Sequence, residues 1–210
     1  PEAGSAAADT VRGLMQQLGD TEAAHSPLWT KRSLQRRMEV LRAPFAATRE
    51  AAKRHGGTLN TAFLAAAADA AGRYHRELGA PVETLRASMA VSTRTADSGA
   101  NAFSLVRMMV PTTDMPVGER FAAIHEATAG AKAGTGGASL DTLAAVAATL
   151  PTSMITRLAR QQAHTVDFAT SNVRGAPMAL FLAGAQILEN YPVGPLGGVA
   201  FNLTLLSYAG

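Results

Sequence analysis

The feature that most constrains the fold is a long alanine-rich segment, TLNTAFLAAAADAAGRYHREL, which covers residues 58–78. Its apolar residues recur at helical spacing, Thr58 is a suitable N-cap, and Gly79 follows the last turn. The segment is therefore predicted to form one long helix. Because an alanine methyl group lets two backbones approach closely, this helix is expected to pack tightly on a sheet in a layered domain.

The elements predicted around this helix occur in groups rather than in strict alternation. In chain order they are a strand, two helices, two strands, three helices and three strands. The predicted strands cover residues 36–44, 85–94, 101–112, 166–173, 179–189 and 199–208, and the predicted helices cover 44–55, 58–78, 116–133, 139–149 and 151–163. This grouping favours an α+β (mixed α/β) fold in which a mixed β-sheet is flanked by helices.

The chain shows no internal repeat and no long linker, so one domain is predicted. Residues 1–30 are expected to form an N-terminal linker with a short helix, and residues 31–210 are expected to form the domain. The domain is expected to be truncated at its C-terminus.

Several kinds of site are excluded by what the sequence lacks. The 210 residues contain no cysteine, which removes disulfides, thiolate zinc sites and cysteine nucleophiles. The five histidines show no H-x-x-x-H spacing, so no metal site is expected. There is no G-x-S-x-G elbow and no P-loop. No apolar run reaches about 18 residues, so no transmembrane helix is expected. Aromatic residues are scarce and do not interleave with basic ones, so nucleic acid is not an expected partner.

Basic residues are concentrated in one part of the chain. Residues 31–54 hold eight of the 19 Lys and Arg residues, against two acidic residues, Glu39 and Glu50. One interpretation is a solvated basic face. The other is attraction to the phosphates of a cofactor or to an anionic membrane surface.

Four segments together carry a resemblance to a known family. They are SPLW at 26–29, GGTLNTAFLAAAADAAGRYH at 56–75, DFATSNVRGAPMALFLAGAQI at 167–187 and GGVAFNLTLLSYAG at 197–210. In this order they resemble the C-terminal half of bacterial wax ester synthase/diacylglycerol O-acyltransferases, which share the fold of CoA-dependent acyltransferases. The resemblance covers nearly the whole chain.

The resemblance implies an enzyme of neutral-lipid synthesis. Such enzymes transfer an acyl group from the co-substrate acyl-CoA to diacylglycerol or a fatty alcohol, in a channel between two similar halves, and hold no permanently bound cofactor. A His-His-x-x-x-Asp-Gly motif in their N-terminal half supplies the general base. This sequence contains no His-His pair. It is therefore expected to be inactive alone and to need an N-terminal half, on the same or a separate chain.

Candidate site residues follow from the same resemblance. Asn60 matches the Asn of an Asn-Asp motif, in which Thr61 replaces the Asp, and it either supports a neighbouring loop or takes part in the site. Arg94 and Asn101 match a Ser-x-Arg strand end and a Gly-Asn turn. Arg94 is expected either to clamp a phosphate or to pair with an acid across the interface between halves, or to remain solvated.

The stretch TSNVRG resembles the family's Ser/Thr-Asn pair before a Val-Pro-Gly turn. Ser171 and Asn172 either present donors to a polarised carbonyl or thioester or cap the turn that follows. Arg174 replaces the proline and either reaches a phosphate or is solvated, and Gly175 lets the backbone pass close to a ligand.

Two functions remain open from the sequence. The first is the C-terminal half of an acyl-CoA-dependent O-acyltransferase that makes triacylglycerol or wax ester and supplies channel and acyl-CoA contacts. The alternative is a non-catalytic lipid- or CoA-binding or scaffolding module of the same fold. The expected location is the cytoplasm, either free or peripherally bound to the inner membrane or lipid droplets through basic and apolar surface.

Overall fold

The computed structural model describes residues 24–33, 35–92, 103–134, 152–153, 156, 163–194 and 198–209. The short helix predicted within residues 1–30 and most of the helices predicted at 139–149 and 151–163 lie outside this part of the chain.

Three helices are confirmed close to their predicted bounds. They are α1 (Phe45–Arg54), α2 (Leu59–Glu77) and α3 (Val117–Gly134). The N-terminus of α2 is closed by two reciprocal hydrogen bonds between Thr58 and Thr61. The Thr61 amide donates to Thr58 Oγ1 at 3.2 Å, and the Thr58 amide donates to Thr61 Oγ1 at 3.1 Å. Thr61 therefore completes a capping box, the task that an acidic or amide side chain commonly performs.

The strands form a mixed sheet, as the grouping of elements predicted. They are β1 (Thr84–Ser92), β2 (Phe103–Pro111), β3 (Phe168–Arg174), β4 (Phe181–Leu182), β5 (Ala185–Gln186) and β6 (Phe201–Ser207). Four of them form one sheet in the order β2-β1-β3-β6. The β1–β2 pair is antiparallel, whereas β1–β3 and β3–β6 are parallel.

One face of this sheet forms the core with the helices. Because side chains alternate across a strand, each strand sends every second residue to this face. The buried sheet residues are Leu85, Ala87, Met89, Val106, Met108, Val110 and Phe168, and they form one cluster with Ala52 of α1, Leu64 and four alanines of α2, and Phe121 and Ile124 of α3. The alanine-rich face of α2 therefore lies against this core, as expected.

A buried polar cluster fixes the loop at residues 24–29 to the domain. The Asp167 carboxylate, fully buried before β3, accepts hydrogen bonds from the amides of Ser26 at 2.8 Å and Arg86 at 2.7 Å. His75 Nδ1 lies 2.7 Å from the Ala71 carbonyl, which can only accept. His75 Nε2 is hydrogen-bonded to the Ser26 hydroxyl, at 2.8 Å. The loop is thus bonded to both α2 and the sheet.

The strand predicted over residues 36–44 is wrong. Residues 35–44 form no helix or strand, and no described residue pairs with them in a ladder. Met38 and Val40, whose alternation suggested a strand, are both exposed. The alternation alone was misleading because a strand also needs a neighbour to pair with.

The single strand predicted over residues 179–189 is also wrong. The segment is instead a hairpin of the two-residue strands β4 and β5. Ala183 and Gly184 have φ angles of 49° and 84°, which the two central residues of a tight hairpin turn require. The glycine in the middle of the apolar run marks a reversal of the chain.

Candidate functional site

The structure contains a groove of about 830 Å³ where the sheet meets the helices. Its walls come from one face of α1, the start of α2, the ends of β3 and β6 and the residues that follow these two strands. Its lining residues are Phe45, Arg49, Lys53, Gly57, Thr58, Leu59, Asn172, Arg174, Gly175, Ala176, Pro177, Ser207 and Ala209. Such a volume lies in the range of small-molecule sites, roughly 300–1,000 Å³.

Strand β3 supplies two polar side chains to this groove. Asn172 and Arg174 lie two residues apart, so they share the face of the sheet on which the buried Phe168 lies. Both line the groove and are exposed. Their partners in the parallel ladder are Leu205 and Ser207 of β6.

Helix α1 supplies two cations to the opposite wall. Arg49 and Lys53 are four residues apart and therefore neighbours on one helix face. Together with Arg174 they make three cations, and none of them forms an ion pair with a described carboxylate. The neighbouring Arg54 instead pairs with Glu50 at 3.6 Å. The groove therefore carries uncompensated positive charge.

The start of α2 adds to this positive character. Thr58 and Leu59 line the groove, and the first turn of α2 contains no acidic residue. The amides of Thr58 and Thr61 are already bonded within the capping box. Leu59 and Asn60 therefore supply the amides without intrahelical acceptors, and the helix dipole places partial positive charge there. A bound anion would be stabilised by both.

Gly175 is required at the bend between β3 and the groove. Its amide donates to the Ser207 carbonyl at 2.9 Å, and a Cβ at this position would lie 2.4 Å from that oxygen. No residue other than glycine fits this approach without moving the ends of β3 and β6. The bend in turn places Ala176 and Pro177 along the groove.

The groove brings together three of the seven predicted site residues, Asn172, Arg174 and Gly175. Asn60 does not line it, because its Nδ2 donates to Met89 Sδ on β1 at 3.1 Å. Ser171 lies on the opposite face of the sheet from Asn172, since adjacent residues of a strand point to opposite sides. Arg94 and Asn101 lie outside the described residues.

Arg49 and Lys53 were not identified individually from the sequence. The sequence indicates them only as members of the basic stretch at residues 31–54. Their i, i+4 spacing just before the Gly-Gly-Thr start of α2 was the available signal. What the sequence did not disclose is that α1 lies across from the end of β3.

The basic stretch is not one solvated face. Arg32 donates to the carbonyls of Ala163 and Val166, at 2.8 and 2.9 Å. Burial lowers the pKa of the Arg32 guanidinium, and the charge of Asp167 opposes this shift. Arg42 is held by Tyr191 and Glu189. The hydrogen bond that Arg42 donates to Tyr191 and the charge of Glu189 raise the pKa of Arg42.

The part of the chain that the structure describes contains no group of three His, Asp or Glu residues arranged to hold a metal ion. No described helix has the length and apolar character needed to cross a membrane.

Comparisons with known proteins agree on one family. Residues 99–210 match a family model described as the WS/DGAT C-terminal domain. A protein of Mycobacterium tuberculosis strain H37Rv, provisionally named a diacylglycerol O-acyltransferase, is 33% identical over 190 residues, which are 90% of this chain and 38% of that protein. A second protein of that strain with the same provisional name is 28% identical over 204 residues, or 92% of this chain and 41% of the other.

The fold has a counterpart among solved structures. The wax ester synthase/diacylglycerol acyltransferase from Marinobacter aquaeolei VT8 superposes with a TM-score of 0.65 at 22% identity, covering 94% of this chain and 46% of that one. This chain therefore spans less than half the length of the relatives it matches. Because the family model covers residues 99–210 of 210, more than half of the sequence, this chain belongs to the wax ester synthase/diacylglycerol acyltransferase family and contains its C-terminal domain.

Proposed function

We propose that this chain is the C-terminal half of an acyl-CoA-dependent O-acyltransferase that makes neutral lipid, either triacylglycerol or wax ester. The observation that carries the proposal is the groove at the end of β3. It combines three cations without carboxylate partners, the start of α2 and the amide of Asn172. Coenzyme A carries several phosphates, and this groove has the charge to bind them.

In this proposal, the two halves of the enzyme share the binding of acyl-CoA. Arg49, Lys53 and Arg174 bind the phosphates of acyl-CoA from the side of this chain. The Asn172 amide hydrogen-bonds to the same co-substrate, and Asn60 supports β1 through Met89. The acyl chain and the acceptor alcohol occupy the channel between the halves.

The reacting hydroxyl needs a base that this chain does not supply. An alcohol is a poor nucleophile at neutral pH, and a positioned histidine takes its proton as the thioester carbonyl is attacked. The sequence has no His-His pair, so the base belongs to the N-terminal half. The chain of residues 1–210 alone is expected to release CoA from acyl-CoA no faster than buffer without protein does.

The test is an assay of the full-length protein with a long-chain acyl-CoA. Release of free CoA is measured with diacylglycerol and, separately, with a long-chain alcohol as acceptor. Turnover with either acceptor supports the proposal. Binding of acyl-CoA without turnover on any acceptor contradicts it and favours the non-catalytic binding module.

Variants of the groove test the assignment of the cations. Lys53→Ala and Arg174→Ala should each raise KM for acyl-CoA about tenfold, equivalent to about 1.4 kcal/mol, because each removes one charged contact. The value of kcat should change little, since phosphate contacts are equal in the ground and transition states. Arg54→Ala is the matched control on the same helix, because Arg54 pairs with Glu50 and does not line the groove. Equal effects of all three variants would contradict the assignment.

A further inference from the structure

The groove combines its positive charge with an apolar wall. The apolar residues that line it are Phe45, Leu59, Ala176, Pro177 and Ala209. Among the described residues that line the groove, Phe45 is the only aromatic one. A ligand that uses the whole groove therefore needs both an apolar surface and negative charge.

Phe45 is the first residue of α1, and its ring lies outside the hydrophobic core. The side chain is half-buried, and in the described part of the chain it belongs neither to the core cluster nor to the partly buried residues packed against that cluster. Within the same ranges it forms no ring pair with another aromatic residue. A ring in this position is available to stack on a ligand.

Phe45 and the two cations of α1 form one stripe along the helix. Phe45, Arg49 and Lys53 follow one another at intervals of four residues, and all three line the groove. Residues at this spacing are neighbours on a helix surface and lie about 6 Å apart along the helix axis. The ring is thus followed at short distances by a guanidinium and an ammonium group, and Arg174 adds a third cation from the opposite wall.

This order of groups suits a nucleotide better than the other parts of an acyl-CoA. A nucleotide has a planar base that stacks on an aromatic ring, and its phosphates, one ribose away, bind Arg and Lys. A fatty acyl chain has no charge, so it would cover the cations without compensating them, which costs free energy. Pantetheine has neither a ring nor a charge. A single aromatic residue provides a place for one base, whereas single-stranded nucleic acid is bound by several.

We propose that the groove is a nucleotide subsite that binds adenosine 3′,5′-bisphosphate, both as the end of acyl-CoA and as the free molecule. The adenine ring stacks on Phe45, and the phosphates contact Arg49, Lys53 and Arg174. The inference rests on the proposed function, which assigns the phosphates to these cations, and it adds a site for the base. The free bisphosphate is therefore a competitor of acyl-CoA.

The test compares two probes that bind to the full-length protein, measured by isothermal titration calorimetry. They are the free bisphosphate and inorganic pyrophosphate, which has phosphates but no base. The bisphosphate should bind at least about tenfold more tightly, because only its base stacks on a ring. Equal affinity for the two probes would overturn the proposal, since the groove would then recognise charge alone.

Variants of the ring separate stacking from charge. Phe45→Ala should raise Kd for the bisphosphate about tenfold and leave Kd for pyrophosphate unchanged, whereas Lys53→Ala should raise both. Phe45→Tyr keeps the ring and should keep the Kd for the bisphosphate within about twofold. Tyr74→Ala is the control and should change neither Kd, because Tyr74 is an exposed aromatic residue of α2 that does not line the groove. A change of both Kd values by Phe45→Ala, or of neither, would contradict the stacking.

Competition in the acyl-transfer assay distinguishes this inference from the proposed function. The free bisphosphate should raise the apparent KM for acyl-CoA and leave kcat unchanged, because both molecules occupy the same groove. Turnover that the bisphosphate does not inhibit would overturn the subsite and leave the proposed function standing. Binding of the bisphosphate that depends on Phe45, in a protein without acyl transfer, would retain the subsite and refute the proposed function.

Discussion

Asp167 is the residue through which the segments that resemble the family are held together. Besides Ser26 and Arg86, its carboxylate accepts from the His25 amide at 3.3 Å. Ser26 continues the connection to His75 on α2, and Trp29 packs against His75 and Phe201, with ring centroids 4.7 and 5.8 Å apart. Members of all four segments therefore meet at one cluster.

Asp167→Asn should destabilise the protein strongly. An amide has one acceptor oxygen and one NH₂ group, so it places a donor against backbone amides that themselves donate. The free energy of unfolding should fall by about 2–4 kcal/mol. Chemical denaturation at constant pH measures this value. Glu39→Gln, which removes an exposed partner of Arg37, should change it by less than about 1 kcal/mol. A similar small change for Asp167→Asn would show that the buried bonds contribute little.

The predicted site residues show how far a linear motif predicts which side chains lie together in the structure. Asn172, Arg174 and Gly175 are close in the chain and lie at one strand end, so a linear motif was sufficient to group them. Ser171 was grouped with Asn172 for the same reason. The alternation of strand β3 separates the two onto opposite faces. Adjacency in the sequence therefore did not predict adjacency in the site.

At the scale of elements, the close approach of α2 to the strand end at Thr112 depends on a glycine. A Cβ on Gly72 would lie 2.0 Å from the Thr112 carbonyl oxygen and 2.9 Å from its carbon. These are backbone atoms, which cannot rotate away as a side chain can. Arg76, one turn later, donates to the same Thr112 carbonyl at 2.8 Å. The position of α2 is thus fixed by the contact of Gly72 with the Thr112 backbone, which leaves no room for a side chain.

Gly72→Ala should therefore destabilise the protein by more than about 2 kcal/mol, although alanine is the better helix former. Gly130→Ala is the matched control, because Gly130 lies in α3 and a Cβ there would meet nothing within 4 Å. That variant should stabilise the protein by about 0.5–1 kcal/mol. Urea denaturation of both variants measures the difference. Stabilisation by both would contradict the close approach.

Element prediction succeeded where a local pattern and a packing partner coincide. The Thr58 cap and the alanine periodicity were sufficient for α2, which packs on the core. It failed for residues 36–44 and 179–189, where most of the apolar side chains that suggested strands are exposed. An apolar pattern predicts burial, but it does not reveal whether the covering surface belongs to this domain or to another.

At the scale of the whole molecule, the charged groove and the exposed apolar residues of the β4–β5 hairpin lie along one continuous segment. Gly175, Ala176 and Pro177 line the groove, and the exposed Met178 follows directly as the first apolar residue of the hairpin. This chain continuity places the exposed apolar residues of the hairpin beside the groove.

Because the groove cations are exposed, binding of CoA by the full-length protein should weaken as salt is added. The Debye length falls from about 10 Å at 0.1 M to about 3 Å at 1 M ionic strength, which screens contacts between exposed charges. Kd for CoA should rise with NaCl concentration, whereas Kd for pantetheine, which has no phosphate, should stay nearly constant. Isothermal titration calorimetry at several salt concentrations measures both. Lys53→Ala and Arg174→Ala should flatten the salt dependence for CoA, and Arg54→Ala should leave it as in the unmodified protein. If CoA and pantetheine respond equally to salt, the groove does not bind the phosphates.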